Sequence, residues 1–240
     1  MKFEHKLISG ILLKRYKRFL ADIQLNNGEI VTAHCANPGS MTGLKDEGSV
    51  VWLSPATNPK AKLDYKWELV EAGGCLVGLN TSRANRIVEE AILNGAIEEV
   101  SGYQTLRREM KYGANSRIDF FLSGSATGDK DCYVEVKSVT LSRHKGVAEF
   151  PDSVTTRGAK HLRELSDMVG LGQRAIMIYL VQRGDCREFR LAADIDPGYA
   201  AAWKLACDAG VETVCYRCNI SPGEITVSRR IPVRLPDING

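Results

Sequence analysis

The sequence predicts an α/β protein, α+β overall, in which a small β-barrel precedes an α/β domain built on a mixed sheet. Three observations carry this. Roughly the first eighty residues hold short strand-like segments between turn residues and no helical stripe; a helical stripe begins just after Ser82; and the elements that follow run helix, three strands, helix, strand. With 240 residues, 44% of them apolar, the chain can fill one large core or two small ones, so its length permits the division.

In the first part, residues 1–80, strand-like segments run over Ile11 to Leu25, Ile30 to His34, Val50 to Ser54 and Trp67 to Val70. Asn26-Asn27-Gly28, Asn37-Pro38-Gly39 and the polar stretch Thr57 to Lys66 separate them. The boundary falls near Leu79 to Ser82, and the second part spans 81–240. Asn85 to Ala96 carries Ile87, Val88, Ala91, Ile92 and Gly95 on one face, a helical stripe that Ser82 or Asn85 can cap. Strands are expected at Leu106 to Tyr112, Arg117 to Leu122 and Cys132 to Leu141, a helix from about Thr155 to Met168, and a buried strand at Arg174 to Val181. Asp196-Pro197 starts and Gly210 stops a helix around Tyr199 to Ala209, and strands at Val211 to Ile220 and Glu224 to Val233 follow.

The composition excludes several classes. Thirty-two basic against 29 acidic residues leave +3, too balanced to mark a nucleic-acid binder by net charge, so any binding face must come from local clustering. Seven irregularly spaced cysteines do not form a secreted disulfide framework and point to a reducing cytoplasm. Lys6, Gly10, Lys14 and Arg15 interrupt the N-terminal apolar residues, and the longest apolar run, Ala175 to Val181, is too short to span a bilayer; a soluble, unprocessed protein is expected. The sequence has no Gly-rich phosphate loop and no nucleophile elbow. Cys215-x-x-Cys218 has no second pair to complete a zinc site, and strand alternation sends its thiols to opposite faces.

The chemistry gathers around Tyr133-Val134-Glu135-Val136-Lys137-Ser138 and Asp119. In a strand Glu135 and Lys137 share one face while Val134 and Val136 take the other. If the strand of Asp119 pairs with this one, two hard carboxylates and an ammonium surround one point, a set suited to Mg²⁺-assisted attack of water on a phosphodiester. The alternative is an ordinary ion pair on a solvated face. Against it, Ile118, Phe120, Phe121, Val134 and Val136 make both strands look central, where an unpaired charge is costly.

This D…E-V-K arrangement resembles the nuclease core of the PD-(D/E)XK superfamily. Over nearly its full length the chain is similar to the sugar fermentation stimulation protein A family, through Arg15-Tyr16-Lys17-Arg18-Phe19-Leu20-Ala21-Asp22, the segment His34 to Gly43, Ala84-Asn85-Arg86, Lys111-Tyr112-Gly113, Ser116 to Phe120, Glu135 to Thr140, Phe150-Pro151-Asp152, Thr156-Arg157-Gly158 and Lys160 to Leu165. Ala36 departs from the family's usual Pro, and Ser40 stands at a variable place; both lie away from the carboxylates. The resemblance implies an OB-type barrel followed by a restriction-endonuclease-like domain. It implies that Asp119 and Glu135 hold Mg²⁺ or Mn²⁺, that Lys137 supports the attacking water, and that DNA is the partner, with RNA left open. It also implies a third acid from the first helix: Glu89 and Glu90 flank the apolar stripe alike, and the family's Asn-Arg…Glu-Ala pattern favours Glu90.

Further candidates lie on the helix from Thr155, whose N-terminus suits phosphate. Arg157 and Lys160 sit in its first turns as possible phosphate contacts or simply as its wet face, and His161 is either an acid–base group or a structural hydrogen-bonder. In the barrel, Arg15, Lys17 and Arg18 surround Tyr16 and Phe19. Alternation would put Arg15, Lys17 and Phe19 on one face, either tracking phosphates and stacking bases or protecting an edge strand. His34, Asn37, Gly39 and Met41 fall at the barrel mouth by the same resemblance. Two functions follow: a DNA-binding Mg²⁺-dependent nuclease, or a non-catalytic DNA-binding regulator of sugar (maltose) metabolism genes that uses a nuclease-like fold.

Overall fold

The computed structural model describes residues 1–113, 116–126, 128 and 130–234. Alternating apolar residues build the first part from β1 (Ile8–Tyr16), β2 (Leu20–Leu25), β3 (Ile30–His34), β4 (Val50–Pro55), β5 (Tyr65–Ala72) and β6 (Cys75–Gly78). The strand order is β3-β2-β1-β4-β5-β6, and a parallel pairing of β3 with β5 closes the first five strands into a barrel. Leu12, Ile23, Ala33, Val51, Leu53 and Trp67 fill it, each fully buried. The segment Ile11 to Leu25, expected as one extended run, is instead a hairpin. It turns at Lys17 and Arg18, with φ of 46° and 66°. No Gly, Pro or Asn marks that turn in the sequence, and the face-sharing expected of Arg15, Lys17 and Phe19 does not survive it.

A 3-10 turn at Thr81–Arg83 leads into α1 (Ala84–Leu93). Asn80 caps the 3-10 turn, accepting from the Ser82 N–H, while α1 starts after Arg83 with no side-chain cap, so neither Ser82 nor Asn85 caps it. The junction is anchored by Glu68 of β5, which is 1% exposed and accepts from Ser54, Asn80 and Arg83. A buried carboxylate saturated in this way holds its neighbours in one geometry.

Then come β7 (Tyr103–Tyr112), β8 (Ser116–Ser125), β9 (Cys132–Val139), β10 (Leu141–His144), β11 (Val147–Phe150), α2 (Thr156–Gly170), β12 (Arg174–Val181), β13 (Glu188–Leu191), α3 (Pro197–Asp208), β14 (Glu212–Ile220), β15 (Ile225–Arg230) and β16 (Val233–Arg234). The central sheet runs β15-β14-β12-β9-β8-β7, with β9, β12 and β14 parallel and the outer strands antiparallel. One face packs Phe120, Val134, Ile176 and Ile178 against α1; the other packs Met177 and Tyr179 against α2 and α3. A small sheet, β10-β11-β13-β16, was not expected: its strands are two to four residues long, too short to show alternation, and the runs predicted to Leu141 and Val233 pass straight into it. Cys215 packs in the α2/α3 core and Cys218 in the α1 core, so the CxxC thiols are parted by the sheet.

Candidate active site

The paired register of β8 with β9 stops at Phe120 opposite Val134. Beyond it the Val136 N–H donates to Asp119 Oδ2 at 2.7 Å. The Asp119 side chain thus takes a main-chain bond that a neighbouring strand would otherwise make, and its carboxylate stands in the split between two central strands. Its other oxygen accepts from Asn85 Nδ2 at 2.7 Å, so α1 reaches the split through an amide.

Glu135 lies next to this split, 3% exposed. Its Oε1 accepts from Lys137 Nζ at 2.7 Å and is in short contact with His161 Nδ1. His161 Nε2 accepts from Arg157 Nε at 3.2 Å, which places the ring proton on Nδ1, pointing at Glu135. Glu135 Oε2 is buried with no hydrogen-bond partner. Burial opposes ionisation of Glu135, but Lys137 and then His161 more than offset it and hold the carboxyl below its ordinary range. Asp119 goes the other way: burial first, and then the charge of Glu135, push it up to about 6. The two adjacent carboxylates are thus driven apart in acidity, a pattern shared by reactive sites and buried ion-pair networks.

Asp119, Glu135, Lys137 and Arg157 therefore come together, with Arg157 joined through His161 and otherwise exposed. Lys160 instead bonds Ser116 Oγ at 3.0 Å and lies 3.4 Å from Glu164. Glu90 is drawn elsewhere: it pairs with the Met1 amino group at 2.7 Å and with Arg86 at 3.5 Å. Glu89 pairs with Arg108. Helix α1 thus offers Asn85, one turn before Glu89 on the same flank, where an acid was expected. Arg15 is held internally, its Nη2 donating to the carbonyls of Arg18, Asn37 and Gly39. Lys17 is exposed in the turn, and Arg18 donates through Nε to the Pro38 carbonyl.

Two groups escaped the sequence reading. Glu164 is 6% exposed, and neither carboxylate oxygen has a hydrogen-bond partner; Tyr112, equally buried, has an unpartnered hydroxyl. Burial, then the charges of Glu135, Glu164 and Asp119, raise the Tyr112 phenol and keep it protonated. The spacing of Arg157, His161 and Glu164 at i, i+4 and i+7 was a usable signal, because it sets all three on one flank of α2. His161 and Glu164 on that flank are buried, while Arg157 stays exposed.

The geometry can accept a divalent cation. Mg²⁺ is bound through one or two carboxylates together with waters and substrate phosphate, and here Glu135 Oε2 is orphaned beside the ionisable Asp119. Among the described residues, no set of three or more His, Cys, Asp or Glu side chains is placed to hold a metal by itself.

Comparison with known proteins agrees with this architecture. The model for the Sugar fermentation stimulation protein RE domain matches residues 82–224, and that for the SfsA N-terminal OB domain matches 13–79. The chain belongs to the sugar fermentation stimulation protein family. It is 56% identical over 237 residues to the Sugar fermentation stimulation protein homolog of Roseobacter denitrificans, covering 98% of this chain and 100% of that one. It is 53% identical to the homolog of Maricaulis maris, covering 98% and 99%. A solved structure of Pyrococcus furiosus SfsA in complex with Ca²⁺ matches with a TM-score of 0.87 and 26% identity, over 98% of each chain. Like the family models, the barrel is of the OB type and the second part is restriction-endonuclease-like. Among the described residues no helix is long and apolar enough to cross a membrane.

Proposed function

We propose that the protein binds DNA and hydrolyses its phosphodiester bonds at the Asp119–Glu135–Lys137 site with Mg²⁺ or Mn²⁺. The observation that carries the reading is the lysine ammonium bonded to a buried carboxylate whose second oxygen has no partner, next to a second, destabilised carboxylate. Asp119 and Glu135 Oε2 would hold the cation, which would lower the pKa of a bound water and neutralise phosphate charge. A relative's complex with Ca²⁺ supports a divalent site. Lys137 orients the attacking water and stabilises charge that develops on it. His161 keeps Glu135 aimed, and the exposed guanidinium of Arg157 clamps a phosphate oxygen. The division near residue 80 gives the barrel the binding role and the second domain the chemistry. Seven free cysteines support a cytoplasmic setting.

The non-catalytic regulator keeps one observation in its favour: Lys137 and His161 both satisfy Glu135 Oε1, as a purely structural cluster would. One experiment separates the two. Purified protein is incubated with single- and double-stranded DNA in Mg²⁺, Mn²⁺ or EDTA. Cleavage that needs metal, and that falls about a hundredfold or more in Lys137→Ala with binding retained, supports the nuclease. Binding without cleavage under every condition leaves the regulator.

A further inference from the structure

A cleft of about 350 Å³ lies between the barrel and the second domain. Arg18, Asn37 and Gly39 form its barrel wall; Ser138, Asp152 and Thr155 belong to the other. The walls meet closely at Gly39, where a Cβ would collide with the Asp152 carboxylate. Ser138 follows Lys137 directly, and its hydroxyl accepts from Gln182 at 2.7 Å. Thr155 is the N-cap of α2, so the cleft opens onto the positive end of the helix that carries Arg157 and His161. The cleft thus runs from the end of β9, one residue past Lys137, to the start of the helix that carries Arg157 and His161.

Beside it the barrel exposes a flat aromatic surface. Phe19 is 42% exposed and stacks on His34, with ring centroids 6.3 Å apart and planes at 21°; the Arg18 guanidinium stands 6.0 Å from the Phe19 ring. An exposed aromatic pair with a cation against it is a stacking platform for unpaired bases. Arg18 belongs to both the platform and the cleft wall, so the two features are continuous.

We infer that the protein takes single-stranded nucleic acid, stacking a base on Phe19 and His34 and seating the neighbouring nucleotide in the interdomain cleft with its phosphate toward the start of α2. The cleft is at the small end of ligand sites, roughly 300 to 1,000 Å³, which suits one nucleotide. A volume of that size holds about one nucleotide, so a duplex would lie across its mouth rather than within it. This rests on the hydrolytic reading only for where the strand leads; the strand preference is a binding property.

The test is fluorescence anisotropy in EDTA with labelled oligo-dT, oligo-rU and a blunt duplex of equal length, using wild type, Phe19→Ala and Val154→Glu. Val154 lines the cleft and is 70% exposed, so the second variant adds charge at the mouth without touching a core. The single strand should bind about tenfold or more tighter than duplex, and each variant should weaken it by about tenfold, the scale of one stacked base. The tighter of oligo-dT and oligo-rU identifies the polymer. Thermal melting checks each fold; if Phe19→Ala is unfolded, Val154→Glu decides. Equal affinity for duplex, or single-strand binding unmoved in folded variants, overturns the inference. Single-strand preference without cleavage in Mg²⁺ or Mn²⁺ keeps it while removing the nuclease reading, and metal-dependent cleavage with equal duplex binding does the reverse.

Discussion

Asp119→Asn should make the metal-free protein more stable at pH 8, although it removes a group proposed to be essential. Folding raises this carboxyl from 3.8 to about 6, chiefly because it is buried and then because Glu135 is near. At pH well above 6 the folded protein therefore carries an ionised group that costs about 3 kcal/mol relative to the unfolded chain. A group whose folded value is raised contributes fully below the unfolded value and loses that contribution as pH climbs through the folded one. The decline thus falls between about pH 4 and 7. Asparagine is isosteric and keeps an oxygen for the Val136 N–H, while the Asn85 amide can turn to offer its own oxygen. Exchanging charged for neutral hydrogen bonds subtracts part of the gain, leaving about 1–2 kcal/mol. Urea and thermal unfolding in EDTA at pH 8 and pH 4 read this directly, with the melting point several degrees higher in the variant at pH 8 and equal at pH 4. Excess Mn²⁺ at pH 8 should then raise the wild type and not the variant, by mass action on a folded-state site. A variant that is less stable than wild type at pH 8 without metal, or that differs equally at both pH values, refutes the reasoning.

Two other substitutions divide structure from function. Arg15→Ala should lower stability by about 2 kcal/mol, because three carbonyls lose a charged donor, and Arg15→Lys should not restore it, since an ammonium lacks the planar fork; calorimetric melting checks both. Glu164→Gln keeps the shape of a buried side chain whose oxygens accept no hydrogen bond and removes only its 3.4 Å ion pair with the half-exposed Lys160, so it should change stability by less than about 1 kcal/mol; thermal melting checks it, and a loss of several kcal/mol would show that the ion pair holds α2 in place.

The long, strongly patterned elements were legible. The strand Arg174 to Val181 coincides with β12, because a run buried on both faces needs no partner to reveal it, and Asp196-Pro197 marks the start of α3 through its own cap chemistry. Glu135 and Lys137 share a face by strand period alone. What the sequence hid depends on tertiary placement. Glu89 and Glu90 are equivalent on an isolated helix, and only the packing of Met1 and Arg108 shows that neither joins the carboxylate pair. His161 reads as an unassigned histidine until α2 crosses β9. The turn at Lys17 and Arg18 carries no turn residue, and the Arg15 side chain that braces it is the kind of long-range bond that no local pattern encodes.

The order of contacts also explains why a barrel and a nuclease-like domain need a defined junction. Glu68 in the barrel fixes Asn80 and Arg83 at the entrance to α1. Helix α1 then delivers Asn85 to Asp119, and Asp119 holds the Val136 N–H open between β8 and β9. Each link is a bond to a buried or half-buried carboxylate, where losing one partner leaves a charge uncompensated and costs more than an exposed pair would. Displacing the barrel would therefore disturb the start of α1 before it disturbed the sheet, and the first group in the site to lose its support would be the carboxylate already pushed up to about 6. On this geometry the junction is a positioning element for Asp119: the Glu68 ion pair sets where α1 begins, and the start of α1 sets which oxygen of Asp119 the Asn85 amide bonds.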